Sequence, residues 1–86
     1  MPCISRFFGI EIRMRFNEHP PPHFHARYAG WTAQVSIVTG EILNGDLPPG
    51  AARLVRRWAQ CYTQELLENW HLMRDRREPL SIPPLE

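Results

Sequence analysis

The chain has 86 residues, enough for one domain built around one core. Hydrophobic residues make up 43% of it, a share typical of a globular protein rather than a disordered tail. A net charge of +1 gives no bulk electrostatic reason for binding nucleic acid or a membrane surface. All ten cationic side chains are arginines, however, and their planar, forked donors suit carboxylates and phosphates.

The two cysteines, Cys3 and Cys61, have no ligand-like spacing, and we interpret them as reduced residues of a cytoplasmic protein. No apolar stretch approaches the roughly 18 residues of a membrane helix. The first residues also lack the basic segment followed by an apolar one that is typical of a signal peptide. We therefore expect a cytoplasmic protein with no membrane partner.

The first predicted elements are strands, because the chain alternates between apolar and polar residues. Residues 10–16 alternate strictly, which predicts a half-buried strand. The alternation begins at Ile4, but Gly9 interrupts it, as a bulge or turn would. Residues 17–22 are predicted to be a loop, because its three consecutive prolines cannot donate to a strand ladder.

Further strands are predicted on the same grounds. In residues 23–28, Phe24, Ala26 and Tyr28 alternate with two histidines and an arginine. Residues 33–37 form a third alternating run, and residues 41–44, which follow a turn signal, predict a short fourth strand.

The last predicted element is one long amphipathic helix over residues 50–77. Trp58 and Trp70 fall within its apolar arc, and Asn69 lies near the middle of that arc. Because a buried amide needs hydrogen-bond partners, we expect Asn69 to tie the helix to a strand edge or a loop. The other members of the arc are Leu54, Val55, Ala59, Tyr62, Leu66 and Met73.

These elements predict an α+β fold, in which a small, mostly antiparallel sheet of three or four strands carries the helix on one face. Residues 1–78 form the single predicted domain, and residues 79–86 a proline-containing C-terminal tail.

The alternation also predicts a polar face on the far side of the sheet. If Phe24 and Ala26 face the helix, then His23, His25 and Arg27 face away from it. His19, in the preceding loop, is close enough along the chain to fold over the rim of that face. The other strands add Glu11, Arg13, Arg15, Gln34 and Ser36 to it.

Three interpretations of this face stay open. In the first, His23 and His25 bind zinc or iron together with His19, or with Glu18 or Glu11 in its place. In the second, which needs no cofactor, the face acts on RNA. In the third, the histidines only cap backbone groups or line a dimer contact, so a homo-oligomer also stays open.

The RNA interpretation assigns two roles to the polar face. His23, His25 and Arg27 would be catalytic, because imidazole titrates near neutral pH and a guanidinium stabilises developing negative charge. Arg13, Arg15 and Arg27 would bind phosphate.

The chain resembles the domain-of-unknown-function 4160 family of small bacterial proteins nearly from end to end. The segments that carry the resemblance are MPCISRFFGIEIRM, EHPPPHFHARY, GEILNGDLP and RLVRRWAQ with QELLENW. Two positions depart from the family pattern: Glu18 stands where Asp is expected, and Pro20 where Asn is expected.

This resemblance implies a partner protein, but it does not imply a specific activity. Members of the family look like partners of a second small protein, of the domain-of-unknown-function 2442 type, in two-gene arrangements that suggest toxin–antitoxin pairs. We therefore expect a toxin-like component that acts on or binds RNA. The alternatives are a non-catalytic protein-interaction module and a histidine-rich metal-binding protein.

Overall fold

The computed structural model describes residues 2–86, which form five strands and two helices. Each strand pairs antiparallel with the next one along the chain, so the sheet is a meander in the order β1-β2-β3-β4-β5. The predicted α+β class is confirmed, but the sheet has five strands rather than three or four. In chain order the elements are β1 (Cys3–Phe7), β2 (Ile10–Arg13), β3 (His23–Tyr28), β4 (Trp31–Ser36), β5 (Ile42–Gly45), α1 (Pro49–Cys61) and α2 (Thr63–Arg74).

Of two tight hairpin turns, the one at Phe8 and Gly9 explains why the sheet has a strand more than predicted. Phe8 and Gly9 join β1 to β2 with φ values of 49° and 77°, and Ala29 and Gly30 join β3 to β4 with φ values of 47° and 91°. Positive φ at both central residues is typical of type I′ turns, whose twist matches that of paired strands. The interruption at Gly9 is therefore a turn between two strands.

The helical region is divided at Tyr62, so the prediction of one helix over residues 50–77 is wrong. Tyr62 has φ −123° and ψ 30°, outside the helical range. The Thr63 hydroxyl donates to the Ala59 carbonyl at 2.9 Å, and the Tyr62 N–H donates to the same oxygen at 3.3 Å. A threonine hydroxyl bonded to the carbonyl four residues earlier bends a helix. The helical region is therefore interrupted at Tyr62, and the second helix ends at Arg74.

The two helices have different positions on the sheet. Trp58 of α1 has no exposed surface, and its ring centroid lies 5.3 Å from that of Phe7 and 5.5 Å from that of Phe24. The far end of α2 reaches the β2–β3 connection, where the Asn17 N–H donates to the Met73 carbonyl at 3.4 Å. Among residues 2–86, no helix is both long and apolar enough to cross a bilayer.

The predicted core is confirmed. From Ile10 onward, every strand residue that the alternation assigned to the helix-facing side of the sheet, apart from Tyr28 and Phe16, is buried. Phe16 lies beyond the end of β2 and is 45% exposed. The buried residues of this predicted set are Ile10, Ile12, Met14, Phe24, Ala26, Ala33, Val35 and Ile37.

The predicted role of Asn69 is confirmed as well. This fully buried side chain exchanges two hydrogen bonds with the main chain of Leu80, in the segment that follows α2. That segment continues across the core, where Ile82 is buried and its N–H donates to the Ile4 carbonyl at 2.9 Å. Ile82 is therefore packed against the same core as the sheet and helices, whereas Leu80 is 55% exposed.

Candidate functional site

The face of the sheet opposite α1 is organised in rows by the strand register. Arg13 of β2 lies opposite His25 of β3, which lies opposite Gln34 of β4, which lies opposite Asn44 of β5. Residues directly opposite each other on antiparallel strands have side chains on the same face. One row therefore combines a guanidinium, an imidazole and two amides.

A second row lies beside the first and is dominated by charge. Arg6 of β1 lies opposite Glu11 of β2. Glu11 lies opposite Arg27 of β3, and Arg27 lies opposite Thr32 of β4. The single carboxylate of this row is thus flanked by arginines on both neighbouring strands.

The two rows line an open depression of about 590 Å³, which we call the basic depression. Three arginines and one glutamate contribute charge to it, so its net charge is +2 with the imidazole neutral. Thr32, Gln34 and Asn44 add groups that both donate and accept hydrogen bonds. The charged residues and histidine in its lining are Glu11, Arg13, Arg15, His25 and Arg27.

Glu11 is the internal anion of this face. Its carboxylate accepts a hydrogen bond from Arg13 Nε at 2.5 Å and lies 3.1 Å from Arg6 Nη2. The hydrogen bond from Arg13 lowers the pKa of Glu11 below its usual value, and the charges of Arg13, Arg6 and Arg27 act in the same direction. Glu11 therefore stays ionised and offsets part of the positive charge.

A second group of side chains, which we call the histidine cluster, consists of Glu18, His23 and His25. Glu18 Oε1 lies 2.5 Å from His25 Nε2, and Glu18 Oε2 lies 3.3 Å from His23 Nε2. One candidate ligand atom from each residue lies within 4.8 Å of the other two. Burial alone would raise the pKa of Glu18, but the contacts with His25 and His23 outweigh it and lower that pKa.

His23 does not face away from the helices, so that prediction is wrong. Its ring is buried, and the ring centroid lies 5.3 Å from that of Trp70 in α2. The prediction assumed one straight helix lying over the opposite face. Because the helical region bends at Tyr62, α2 reaches the β2–β3 end of the sheet and places Trp70 on His23.

The structure separates the predicted site residues into two groups. His25 lies in both the basic depression and the histidine cluster, while Arg13, Arg15 and Arg27 line the depression alone. His19 is exposed and lies outside the histidine cluster, which contains Glu18, one of the two alternatives to His19 named from the sequence. Thr32 and Asn44 are lining residues that the sequence analysis missed, although strand alternation places Thr32 on the same face as Gln34.

Comparison with known proteins identifies one family. The family model described as Domain of unknown function (DUF4160) matches residues 9–71, which is more than half of the chain. Neither comparison with the curated proteins nor comparison with the solved structures finds a match. The matched range contains both the basic depression and the histidine cluster.

Proposed function

Since the chain belongs to the DUF4160 family, whose description states no activity, we propose a function from the geometry of its own site. The protein is a toxin-like component of a two-protein module in the bacterial cytoplasm, and it binds RNA through the basic depression. The observation that carries this proposal is the presence of Arg13, Arg15 and Arg27 beside His25 in one concave surface.

The chemistry of the depression suits a phosphodiester backbone. A guanidinium offers two parallel N–H donors to phosphate oxygens, and such charge-assisted bonds are roughly twice as strong as neutral ones. The amides of Gln34 and Asn44 add donors and acceptors that suit base edges and the 2′-hydroxyl of an RNA strand. This mixture supports a nucleic acid in preference to a small inorganic anion.

The protein has a second basic surface, on α1, that can be compared with the basic depression. Arg53, Arg56 and Arg57 are exposed on α1 around a smaller depression of about 480 Å³. That surface contains no histidine, and Gln60 is its one amide. It can attract an anion, but it lacks a group that transfers protons near neutral pH.

His25 is the imidazole that lines the basic depression, so it is the residue that would move a proton during cleavage of an RNA backbone. Its Nε2 is hydrogen-bonded to Glu18, which orients the ring. His23 lies behind it against Trp70 and would act by positioning. General acid–base catalysis typically contributes 10²–10⁴-fold to a rate.

The proposed partner protein is the one that the family resemblance implies. A second small protein of the domain-of-unknown-function 2442 type would cover the same basic face and block access of RNA to it. An acidic surface on that partner would complement the net positive charge of the depression.

The binding test compares two double variants with the same change in net charge. A fluorescently labelled 20-nucleotide RNA is titrated with the wild-type protein, with Arg15→Ala/Arg27→Ala and with Arg53→Ala/Arg57→Ala, at several salt concentrations. We expect the sheet-face variant to bind at least 10-fold more weakly. The slope of log K against log salt concentration should be smaller in magnitude by about 0.7 for each phosphate that the variant no longer neutralises. Equal weakening by the α1 variant would contradict the proposal.

The growth test separates the toxin proposal from an interaction module. Expression of the wild-type protein alone should slow bacterial growth, and His25→Ala should relieve it while the far-UV circular dichroism stays unchanged. His19→Ala is the matched control and should remain inhibitory. A harmless wild-type protein that ignores RNA at low salt, but binds a small acidic protein through this face, would replace the proposal with the interaction module.

A further inference from the structure

The histidine cluster contains a buried nitrogen that has no hydrogen-bond partner. His23 is 6% exposed, and its Nε2 makes no hydrogen bond. The Glu18 carboxylate lies beside it, with Oε2 at 3.3 Å but in a direction unsuited to a hydrogen bond. Leaving a buried polar atom without a hydrogen-bond partner costs about 1–3 kcal/mol, so the missing partner of this nitrogen needs a physical explanation.

The other nitrogen of the same ring fixes the tautomer. His23 Nδ1 lies 2.8 Å from the carbonyl oxygen of Pro21, which can only accept a hydrogen bond. Nδ1 therefore carries the proton, and in the neutral ring Nε2 presents its lone pair to the carboxylate of Glu18. Two electron-rich atoms facing each other in a buried position are stabilised by a cation between them.

A histidine that donates its far N–H to a backbone carbonyl is also the usual arrangement of a metal ligand, because that bond holds the ring and makes the free nitrogen more basic. The 3.3 Å separation of His23 Nε2 from Glu18 Oε2 is close to the spacing of about 3.4 Å between two ligands of a tetrahedral Zn²⁺ ion. His25 brings a second imidazole nitrogen to the same carboxylate, at 2.5 Å from Glu18 Oε1. That separation would have to widen by about 0.9 Å for both atoms to bind one tetrahedral Zn²⁺ ion.

We propose that Glu18, His23 and His25 form a binding site for one divalent transition-metal ion, with Zn²⁺ as the ion best suited to two imidazoles and a carboxylate. The ion would take the place of the proton between His25 Nε2 and Glu18 and would satisfy the orphan nitrogen of His23. Three protein ligands leave a fourth position open, as in catalytic zinc sites. The proposal does not depend on RNA binding, and a metal-bound His25 would give up the proton-transfer role that the proposed function assigns to it.

The position of the site gives it a second consequence. His25 belongs to both the histidine cluster and the basic depression. A bound ion would therefore lie at the rim of the depression, where a Lewis acid can reach an anionic group held by the arginines.

The test uses the full chain after removal of metals with a chelator that is then dialysed away. Zn²⁺ is added in competition with a chromophoric indicator, the bound ion is counted by elemental analysis, and Co²⁺ is used as a spectroscopic probe of coordination. We expect one Zn²⁺ per chain, a raised melting temperature and a four- or five-coordinate Co²⁺ spectrum.

The variants decide which side chains bind the ion. Glu18→Gln and His25→Gln should each lower the affinity at least 100-fold, since the loss of even an outer partner of a ligand typically costs 10–100-fold. His19→Ala changes a neighbouring exposed imidazole and should leave the affinity within about 2-fold. These variants keep the test valid even where His23→Gln fails to fold.

Two outcomes would overturn the site. The first is the absence of stoichiometric Zn²⁺ and Fe²⁺ binding to the wild-type chain, and a doubly protonated His23 ring in the ¹⁵N NMR spectrum would then identify the cluster as an ion pair. The second is Zn²⁺ binding that Glu18→Gln leaves unchanged and His19→Ala abolishes. Binding of Fe²⁺ in preference to Zn²⁺, with the same dependence on Glu18 and His25, would support the site.

Discussion

The side-chain amide of Asn69 exchanges two hydrogen bonds with a single residue, Leu80. Asn69 Nδ2 donates to the Leu80 carbonyl oxygen at 2.8 Å, and the Leu80 N–H donates to Asn69 Oδ1 at 2.8 Å. The amide therefore imitates a pair of strand hydrogen bonds and holds the C-terminal segment on α2.

Replacing Asn69 by leucine should destabilise the protein by about 1–3 kcal/mol, because the carbonyl and N–H of Leu80 would lose their partners. Urea denaturation followed by tryptophan fluorescence measures the change. Gln64→Leu, at an exposed position of the same helix, is the control and should stay within about 0.5 kcal/mol of wild type. An Asn69→Leu variant as stable as that control would show that the paired bonds contribute no net stability.

Trp58→Ala should cost about 3–5 kcal/mol, since it removes the largest fully buried side chain of the core. Trp58→Phe keeps much of the ring but removes the Nε1–H that donates to the Pro83 carbonyl at 2.9 Å. It should therefore fall between wild type and alanine. Trp31→Ala is the matched control, because that ring is 46% exposed. Similar losses of stability for Trp58→Ala and Trp31→Ala would contradict the packing.

Gly45→Ala should destabilise the protein by about 1–3 kcal/mol or more. Gly45 has φ +76°, and an added Cβ would lie 2.3 Å from the Thr32 carbonyl oxygen. Gly50→Ala is the control, because Gly50 lies in α1 with nothing within 4 Å of the added carbon. That change should stabilise the helix by about 0.5–1 kcal/mol. Thermal melts of both variants should move in opposite directions, and a shared direction would refute this account of Gly45.

The ion pairs of Glu11 should make stability depend on pH. The folded-state pKa of Glu11 is lowered by the hydrogen bond from Arg13. Its contribution is therefore fully present above the unfolded-state pKa of about 4.3, and it is lost as the pH falls through the folded-state value. We expect the difference in unfolding free energy between wild type and Glu11→Gln to shrink from pH 7 to acidic pH. Repeating the comparison in an Arg13→Met background should remove most of this pH dependence; if it does not, Arg13 is the wrong cause.

Much of the fold could be predicted because its core follows a local period. Ile10, Ile12 and Phe24 alternate with polar residues, and a strand turns successive side chains to opposite faces. Two departures were predicted only in part or not at all. Gly9 indicated an interruption, but not that Phe8, a bulky residue, would adopt positive φ and complete a hairpin turn. The bend at Tyr62 contains neither proline nor glycine, and its hydrogen bonds are not revealed by a local pattern.

The site was predictable to the same extent. Arg13, His25 and Arg27 lie on the predicted face because alternation decides it. His23 has the same parity, but it lies at the start of β3, where contact with Trp70 determines its surroundings. The position of Glu18 depends on the path of the irregular β2–β3 connection, whose sequence has no periodic pattern from which a position could be predicted.

The hydrogen bond from the Ile82 N–H to the Ile4 carbonyl has a consequence for how the chain can be shortened. β1 is the outermost strand on one side of the sheet, and the family match at residues 9–71 includes neither β1 nor the segment that Ile82 belongs to. A chain cut after residue 78 would expose the Ile4 carbonyl and leave the Trp58 indole N–H without its acceptor at Pro83. An uncovered outer strand is a template for pairing with another molecule. Shortened chains should therefore self-associate more strongly than the full chain.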